Sequence, residues 1–460
     1  MQSDTQKGAL RWKGVSAAFL GGQAISTLGS GLVQFAIIWF VALSANSGTS
    51  MMIITLASFI PQLVVAPFAG VWADRYDRRW IIIIADSAIA LVTLALMIFY
   101  VFGYDIVWMI YVTAAVRSLG GGIQSPANKA LIPQITPKKD LVRINGIYST
   151  IENVILLLSP ILGGALLTLF PLWIVFLVDV VTAAIAVAIM IALPIPHQRT
   201  GKVVTALGIE PKLKHGSAWG FPSLEDAQIA SQVMDDDAAE GLLADHLPDI
   251  ASAPPESVMT QFRMGFLYVK KNHIIRNLMI IYALFMILIS PVATLMPLYI
   301  RRHFGTQAWQ ISATQTAIFT GMAIGGLIVS LKGRFKSHLK TIRWAGLLVS
   351  IGTLGLALVG LMETPKFVFF VALAFSLGMV VPFYTTAVTT FFQERVDRSY
   401  HGRVFALLYM IGSAAIPLGA IVFGPLADVF PIAWLLVFTS IAQLIILLAS
   451  VKAIPKDFIE

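Results

Sequence analysis

The chain has 460 residues, of which 57% are hydrophobic and only 12% charged, with a mean hydropathy of +0.82. Soluble domains carry about 25% charged residues, so this composition describes lipid-facing helices rather than one large aqueous fold. The net charge of +8 does not indicate nucleic acid, because Lys and Arg fall in alternate connections between apolar runs, and the absence of Cys excludes disulfides, thiolate metal sites and cysteine nucleophiles.

Met1 to Lys13 is polar and leads into a full-length apolar run without the pattern of a cleaved signal peptide. Apolar runs predict twelve spans, each long enough to cross a bilayer, at 15–44, 50–73, 79–102, 106–131, 143–169 and 172–194, then at 274–300, 308–331, 340–361, 366–391, 402–427 and 431–452. The expected fold is an all-α membrane protein of twelve helices in two pseudo-symmetric six-helix bundles, 1–194 and 274–460. Residues 195–273 join them as a hydrophilic linker, with an acidic run at Asp235-Asp236-Asp237 and a lateral amphipathic helix at 224–247 as the alternative reading.

Charge sets the orientation. Lys7, Arg11 and Lys13 place the N-terminus inside, and the other inside connections hold Arg75, Arg78 and Arg79; Lys138, Lys139 and Arg143; Lys332, Arg334, Lys336 and Lys340; and Arg395, Arg398 and Arg403. The outside connections hold little beyond Arg301, Arg302 and Lys366, so both termini are expected to be cytoplasmic. The halves echo one another: Gly326, Gly333 and Arg334 match the spacing of Gly70, Asp77 and Arg78, and Ile416-Pro417 through Ala420 matches Ser159-Pro160 through Gly164.

Charged groups inside spans are costly and usually face a cavity or a partner. Four are in the first half. Glu152 is the first candidate for a proton-carrying group, since a cavity-facing carboxyl group can load and release a proton as access alternates; the other reading is a structural carboxylate held by Arg117 or by neighbours such as Asn153. Asp179 is a second proton site or a cap for interhelical hydrogen bonds. Asp86, near the cytoplasmic mouth, belongs with the gate. Arg117 holds a buried carboxylate, attracts an anionic substrate group or lines a polar cavity. Residues expected to line a substrate cavity are Gln23, Gln34, Trp39, Phe59, Gln62, Tyr148, Phe285, Met286, Met296 and Tyr384, each with a packing role as the alternative. Their Met and aromatic content suits a lipophilic ligand.

The stretch from Gly70 through Asp74, Arg75 and Arg78 to Arg79 resembles the signature between helices two and three of the major facilitator superfamily, with Asp77 where that signature usually has Gly. Arg117-Ser118-Leu119-Gly120-Gly121-Gly122 is similar to the helix-four Arg signature of proton-driven facilitators. Ser159-Pro160 with Gly163-Gly164 resembles the helix-five signature of the antiporter branch, with Ser for its first Gly. Gly22 to Ser26, Gln34 to Ala36, Ile132-Pro133, Asn145 to Ile147, Gly265 to Val269, Gln393 to Asp397 and Gly402 to Val404 look like the macrolide-efflux branch, which also includes siderophore exporters and lysophospholipid carriers.

The resemblance implies a drug:proton antiporter of the inner membrane that moves a hydrophobic or amphipathic compound outward, with a lysophospholipid or siderophore transporter as the alternative. It implies a cytoplasmic gate formed by Gly70, Asp74, Arg75, Arg78 and Arg79, in which Asp74 and Arg78 latch the halves. No cofactor, metal or nucleic acid is expected, and a monomer is. All seven His residues lie in the linker, in connections or at span ends, no His-Glu-x-x-His occurs and no P-loop is present, so neither a membrane enzyme nor an ATP-driven pump is expected.

Overall fold

The computed structural model describes residues 2–104, 107–194, 258–332, 335, 337–362, 366–397 and 400–453. Most of the expected linker, including the acidic run and the candidate helix at 224–247, lies outside the described residues. Backbone N–H and C=O groups in hydrocarbon must be satisfied within their own segment, and the described chain is accordingly helical almost throughout.

The first half comprises α1 (Gln2–Ala45), α2 (Gly48–Arg75), α3 (Arg78–Val101), α4 (Val107–Ile135), α5 (Leu141–Leu169) and α6 (Leu172–Ala192). A shorter helix, α7 (Val258–Lys271), precedes α8 (His273–His303), α9 (Ala308–Lys332), α10 (His338–Leu361), α11 (Phe367–Arg395), α12 (His401–Val429) and α13 (Ile432–Ala453). Eleven of these helices are long and apolar enough to cross a membrane. The twelfth long helix, α4, is more polar because it carries Arg117, Ser118, Gln124, Asn128 and Lys129. Polar side chains start several helices: Ser47, Asp77, Asn272 and Ser337 each accept a first-turn backbone N–H that the helix itself leaves open.

The halves repeat one packing scheme. In the first, α2 and α3 pack on α4, α3 on α6, and α1 on α5 and α6; in the second, α9 and α10 pack on α11, α10 on α13, and α8 on α12 and α13. Corresponding helices open at Arg78 and His338, Val107 and Phe367, Leu141 and His401, and Leu172 and Ile432, always at the same separation. That separation corrects the residue matches read from sequence. It sets the N-cap Ser337, not Gly333, opposite the N-cap Asp77, and Ala420, not Pro417, opposite Pro160.

Call the membrane face that carries the start of α1 and the ends of α6 and α13 the terminal face, and the opposite one the far face. The larger apolar core draws on both halves, and its first-half members, such as Leu32, Phe40, Met51, Leu96, Ile110 and Val175, sit towards the far face. The smaller core, including Phe19, Ile82, Leu131, Ile135 and Met190, belongs to the first half alone and sits at the terminal face. The halves thus share one interior at the far face and have separate interiors at the terminal face. Across the join, α2 packs on α12 and α5 on α9.

The expected linker ends in structure. α7 lies against α12, where Tyr268 stacks on Tyr400 with ring centroids 4.4 Å apart and donates its hydroxyl to Asp397 Oδ2 at 3.1 Å. Arg403 lies over the other ring of the stack, 5.6 Å from the Tyr400 centroid.

Close helix crossings use glycine. A Cβ on Gly122 of α4 would fall 2.6 Å from Val65 Cγ1 and 2.9 Å from Gln62 Cα of α2, whereas one on neighbouring Gly121 would meet nothing within 4 Å. Gly122→Val should therefore lower thermal stability in detergent by about 1–3 kcal/mol through overpacking. Gly121→Ala should leave it unchanged or raise it by about 0.5–1 kcal/mol. Equal effects of the two would show that this crossing is not tightly packed.

Candidate functional site

A column of polar side chains runs through the interior of the first half. Its spine is α1, where Gln23, Ser26 and Ser30 recur at i, i+3 and i+7 and so share one face. Facing them, α4 presents Arg117, Gln124 and Asn128, and α3 presents Asp86 and Thr93. At the deep end, Arg117 forms an ion pair with Asp179 of α6 and a hydrogen bond to Thr93 Oγ1. Ser30 donates to Asp179 Oδ1 at 3.3 Å, and Arg117 Nη2 donates to the Ser30 carbonyl at 3.4 Å. The pair is almost sealed, with side-chain exposures of 6% and 1%. Gly29 makes room for it: a Cβ there would run into Thr182 and lie 3.2 Å from Asp179 Oδ1.

Nearer the terminal face, Asp86 is 4% exposed and accepts from the Ser26 hydroxyl at 3.0 Å and from Gln124 Nε2 at 2.7 Å. Both donors are neutral; among the described residues no cation pairs with Asp86. One turn further, Asn128 Nδ2 donates to Gln23 Oε1 at 2.8 Å, and the Tyr148 side chain of α5 neighbours both Asn128 and Glu152. Glu152 itself is exposed.

This geometry sorts the residues expected from sequence. Arg117 and Asp179 meet each other, so Arg117 does not hold Glu152. Asp86, expected with the gate, is turned into the first half, where Ser26 and Gln124 hold it in the column. Gln23 and Tyr148 belong to the column's terminal end. Phe285 and Tyr384 stack with centroids 4.4 Å apart in the second half, beside Tyr282. These two and Met296 are buried in helix packing, not exposed on a cavity wall, while Gln34, Trp39, Phe59, Gln62 and Met286 are half-buried. Gln34 donates to Ser58 Oγ at 3.2 Å, which joins α1 to α2.

The motif after α2 ties helix ends together. Arg78 donates from Nε to the Ala73 carbonyl at 2.9 Å and from Nη1 to the Ala130 carbonyl at 2.7 Å, while Arg79 donates to the Ile191 carbonyl. The Ala73 and Ile191 carbonyls lie in the last turns of α2 and α6, where helices leave acceptors open and favour cations, and Ala130 lies five residues before the end of α4. The side chains of Asp74 and Arg75 lie outside the described part. An added Cβ on Gly70 would meet nothing within 4 Å, as befits a face on which the halves have separate interiors. In α5, Gly163 lies against Phe35 of α1 and Gly164 against Ser312 of α9, whose hydroxyl donates to the Pro160 carbonyl. Ser159 sits against Gly31 of α1. The Ser-Pro-Gly-Gly run therefore marks the joint of α1, α5 and α9.

Thr93, Gln124 and Asn128 were missed from sequence. The signal was there in the helical spacing of Gln23, Ser26 and Ser30, which in an otherwise apolar span implies a facing set of polar partners.

The family model described as Major Facilitator Superfamily matches residues 19–420. The chain belongs to that superfamily. It is 27% identical to Macrolide efflux protein A of Streptococcus pyogenes over 419 residues, which cover 91% of this chain and 90% of that one. It is 22% identical to the Staphyloferrin A transporter of Staphylococcus aureus, with 90% of each chain covered. The structure of a bacterial homologue of the iron transporter ferroportin in an inward-facing state superposes with a TM-score of 0.61 at 12% identity, over 95% of this chain and 98% of that one, and shows the shared fold.

Breaking a buried pair by removing one partner costs about 3–5 kcal/mol, because the other charge is left unpaired. Asp179→Asn and Arg117→Gln should each destabilise the protein by that order, and the double variant by less than the sum of the two. Thermal unfolding of all four proteins in detergent closes the cycle; strict additivity would mean that the pair is not coupled.

Proposed function

We propose that this multi-pass membrane protein exports a hydrophobic or amphipathic small molecule in exchange for protons, by alternating access between its halves, in the cytoplasmic (inner) membrane of a bacterium. The observation that carries the export reading is the likeness to Macrolide efflux protein A over nine-tenths of both chains. The distribution of Lys and Arg supports a cytoplasmic terminal face. The conformation described is then open towards the cytoplasm, where substrate enters, and closed outside.

Proton coupling is supported by where the ionisable groups are. Asp86, Arg117 and Asp179 occupy one column in the first half, with Glu152 at its mouth. Asp179 is already neutralised by Arg117. Asp86, surrounded by neutral donors, is the carboxylate that a proton would relieve of an uncompensated buried charge. In the cycle proposed, Asp86 or Glu152 gives its proton to the cytoplasm while substrate binds; the halves then rock, substrate leaves outside, and a proton taken up from that side resets the carrier. Asp74, Arg75, Arg78 and Arg79 serve as the cytoplasmic gate that closes in the second half of this cycle. Gln34, Trp39, Phe59, Gln62 and Met286 are the candidates for contact with substrate.

The Staphyloferrin A transporter likeness favours a second reading, a siderophore transporter, whose cargo would be recognised through an anionic group. Against it, Arg117 is engaged by Asp179 and offers no free cation to a carboxylate.

Efflux of a lipophilic cationic dye from proteoliposomes, with and without an imposed pH gradient, tests the proposal. Acid on the uptake side of the proton should accelerate export by the parent protein. Asp86→Asn should remove that acceleration while leaving downhill dye movement. Gradient dependence lost instead in Glu152→Gln would move the coupling role to Glu152, and export indifferent to the gradient would remove proton antiport.

A further inference from the structure

On the far face the last turn of α12 meets the first turn of α2, one helix from each half. Asp428, one residue before the end of α12, lays its carboxylate on the open N-terminus of α2. Oδ1 accepts from the Gly48 N–H at 2.5 Å. Oδ2 accepts from the Thr49 N–H at 2.9 Å, the Thr49 hydroxyl at 2.6 Å and the Ser47 hydroxyl at 2.9 Å. All four donors lie on three consecutive residues of the other half. A helix cannot satisfy its own first N–H groups, and its positive end favours an anion, so the carboxylate supplies what α2 lacks.

The backbones are close enough for this because glycine meets glycine. A Cβ on Gly424 would fall 2.5 Å from Met52 Cβ and 2.8 Å from the Gly48 carbonyl oxygen. The rim around this contact is tied in the same sense. Arg302 of α8 donates to the Ala427 carbonyl at 2.8 Å and to the Asn46 carbonyl at 3.0 Å, and its Nη2 lies 4.0 Å from Asp428 Oδ1. Arg301 donates to the Ala42 carbonyl at the end of α1, at 2.9 Å.

We infer that Asp428 is the latch that holds the far face shut during transport, by charge-assisted capping of α2 across the join between the halves. The inference rests on the alternating-access reading, but on neither the substrate nor the proton. Its geometry suits a contact made and broken on every cycle. The Asp428 side chain is 31% exposed, so water can solvate it on release, where a sealed carboxylate would be trapped. All four bonds share one carboxylate and one helix end, so they are lost together when α2 and α12 part. The same helix pair is antiparallel, and Asp74 stands one residue before the end of α2 at the terminal face, in the register that Asp428 holds in α12. Each C-terminal end of the pair thus carries an acid in the same place.

The lack of Cys allows single introduced cysteines to be read directly in the full-length protein in nanodiscs. Ser312→Cys reports opening, because Ser312 is buried at the separate α5–α9 contact between the halves. Ser350→Cys reports unfolding, because Ser350 is buried inside the second half. Asp428→Asn should raise the rate at which a water-soluble maleimide modifies the cysteine at 312 by about tenfold, the scale of losing a charge-assisted contact. The rate at 350 should not move. Arg302→Gln, which removes rim donors and a charge 4.0 Å from Asp428 but leaves the carboxylate and its four bonds in place, should shift the 312 rate in the same direction by less. An unchanged rate at 312 in Asp428→Asn would overturn the latch. A parallel rise at 350 would also overturn it, since the acid would then support the fold rather than the gate. The readout needs no substrate and no pH gradient, so failure of the export assay leaves it intact.

Discussion

An ion pair sealed inside a helical bundle in a membrane constrains everything around it. Neither Arg117 nor Asp179 tolerates hydrocarbon alone, so four helices must converge to hold them. α4 brings the guanidinium, α6 the carboxylate, α3 the Thr93 hydroxyl and α1 the Ser30 contacts. The small residues of α1 and α4 follow from this convergence, because a bundle tight enough to exclude water from the pair leaves no room for side chains at its crossings. The polar column continues from the pair towards the terminal face through Asp86 and Asn128, each bonded to a side chain of a neighbouring helix. The first half is therefore one rigid chemical unit as well as a packing unit.

The second half repeats the packing without the charges. At the register of Thr93 and Asp179 it has Thr353 and Thr439, both buried and neutral. With no charge to anchor, its interior merges with that of the first half at the far face, through Leu298, Tyr299, Phe370 and their neighbours. One packing scheme thus holds two kinds of interior, one with a buried ion pair and one that is neutral at the same register.

The long helices were legible in the sequence because lipid imposes long apolar runs with charged punctuation. α4 was legible although its polarity sets it apart from the other spans, since its neighbours fixed its place. Site assignments were legible only one residue at a time. Arg117 and Asp179 were each recognisable as expensive, but which acid met which base depends on the rotation of α4 against α6, and no single span reveals that. Asp86 shows the same limit: its depth was legible, but its partners Ser26 and Gln124 depend on the face it occupies on α3. Residue-type matching between the halves failed at Gly333 and Pro417 because glycine and proline recur for local reasons, whereas the constant separation of helix starts is a property of the whole repeat.

The short helix α7 adds a mechanical consequence. Its Tyr268 is clamped on Tyr400 and Asp397, and its Gly265 is pressed against Arg403, at the base of α12. A cable entering a machine is gripped at the casing so that a tug never reaches the terminals. α7 grips the polypeptide in the same way: any pull arriving along the chain from Pro194 is delivered to the root of α12, and α8, which begins directly after it, is spared the load.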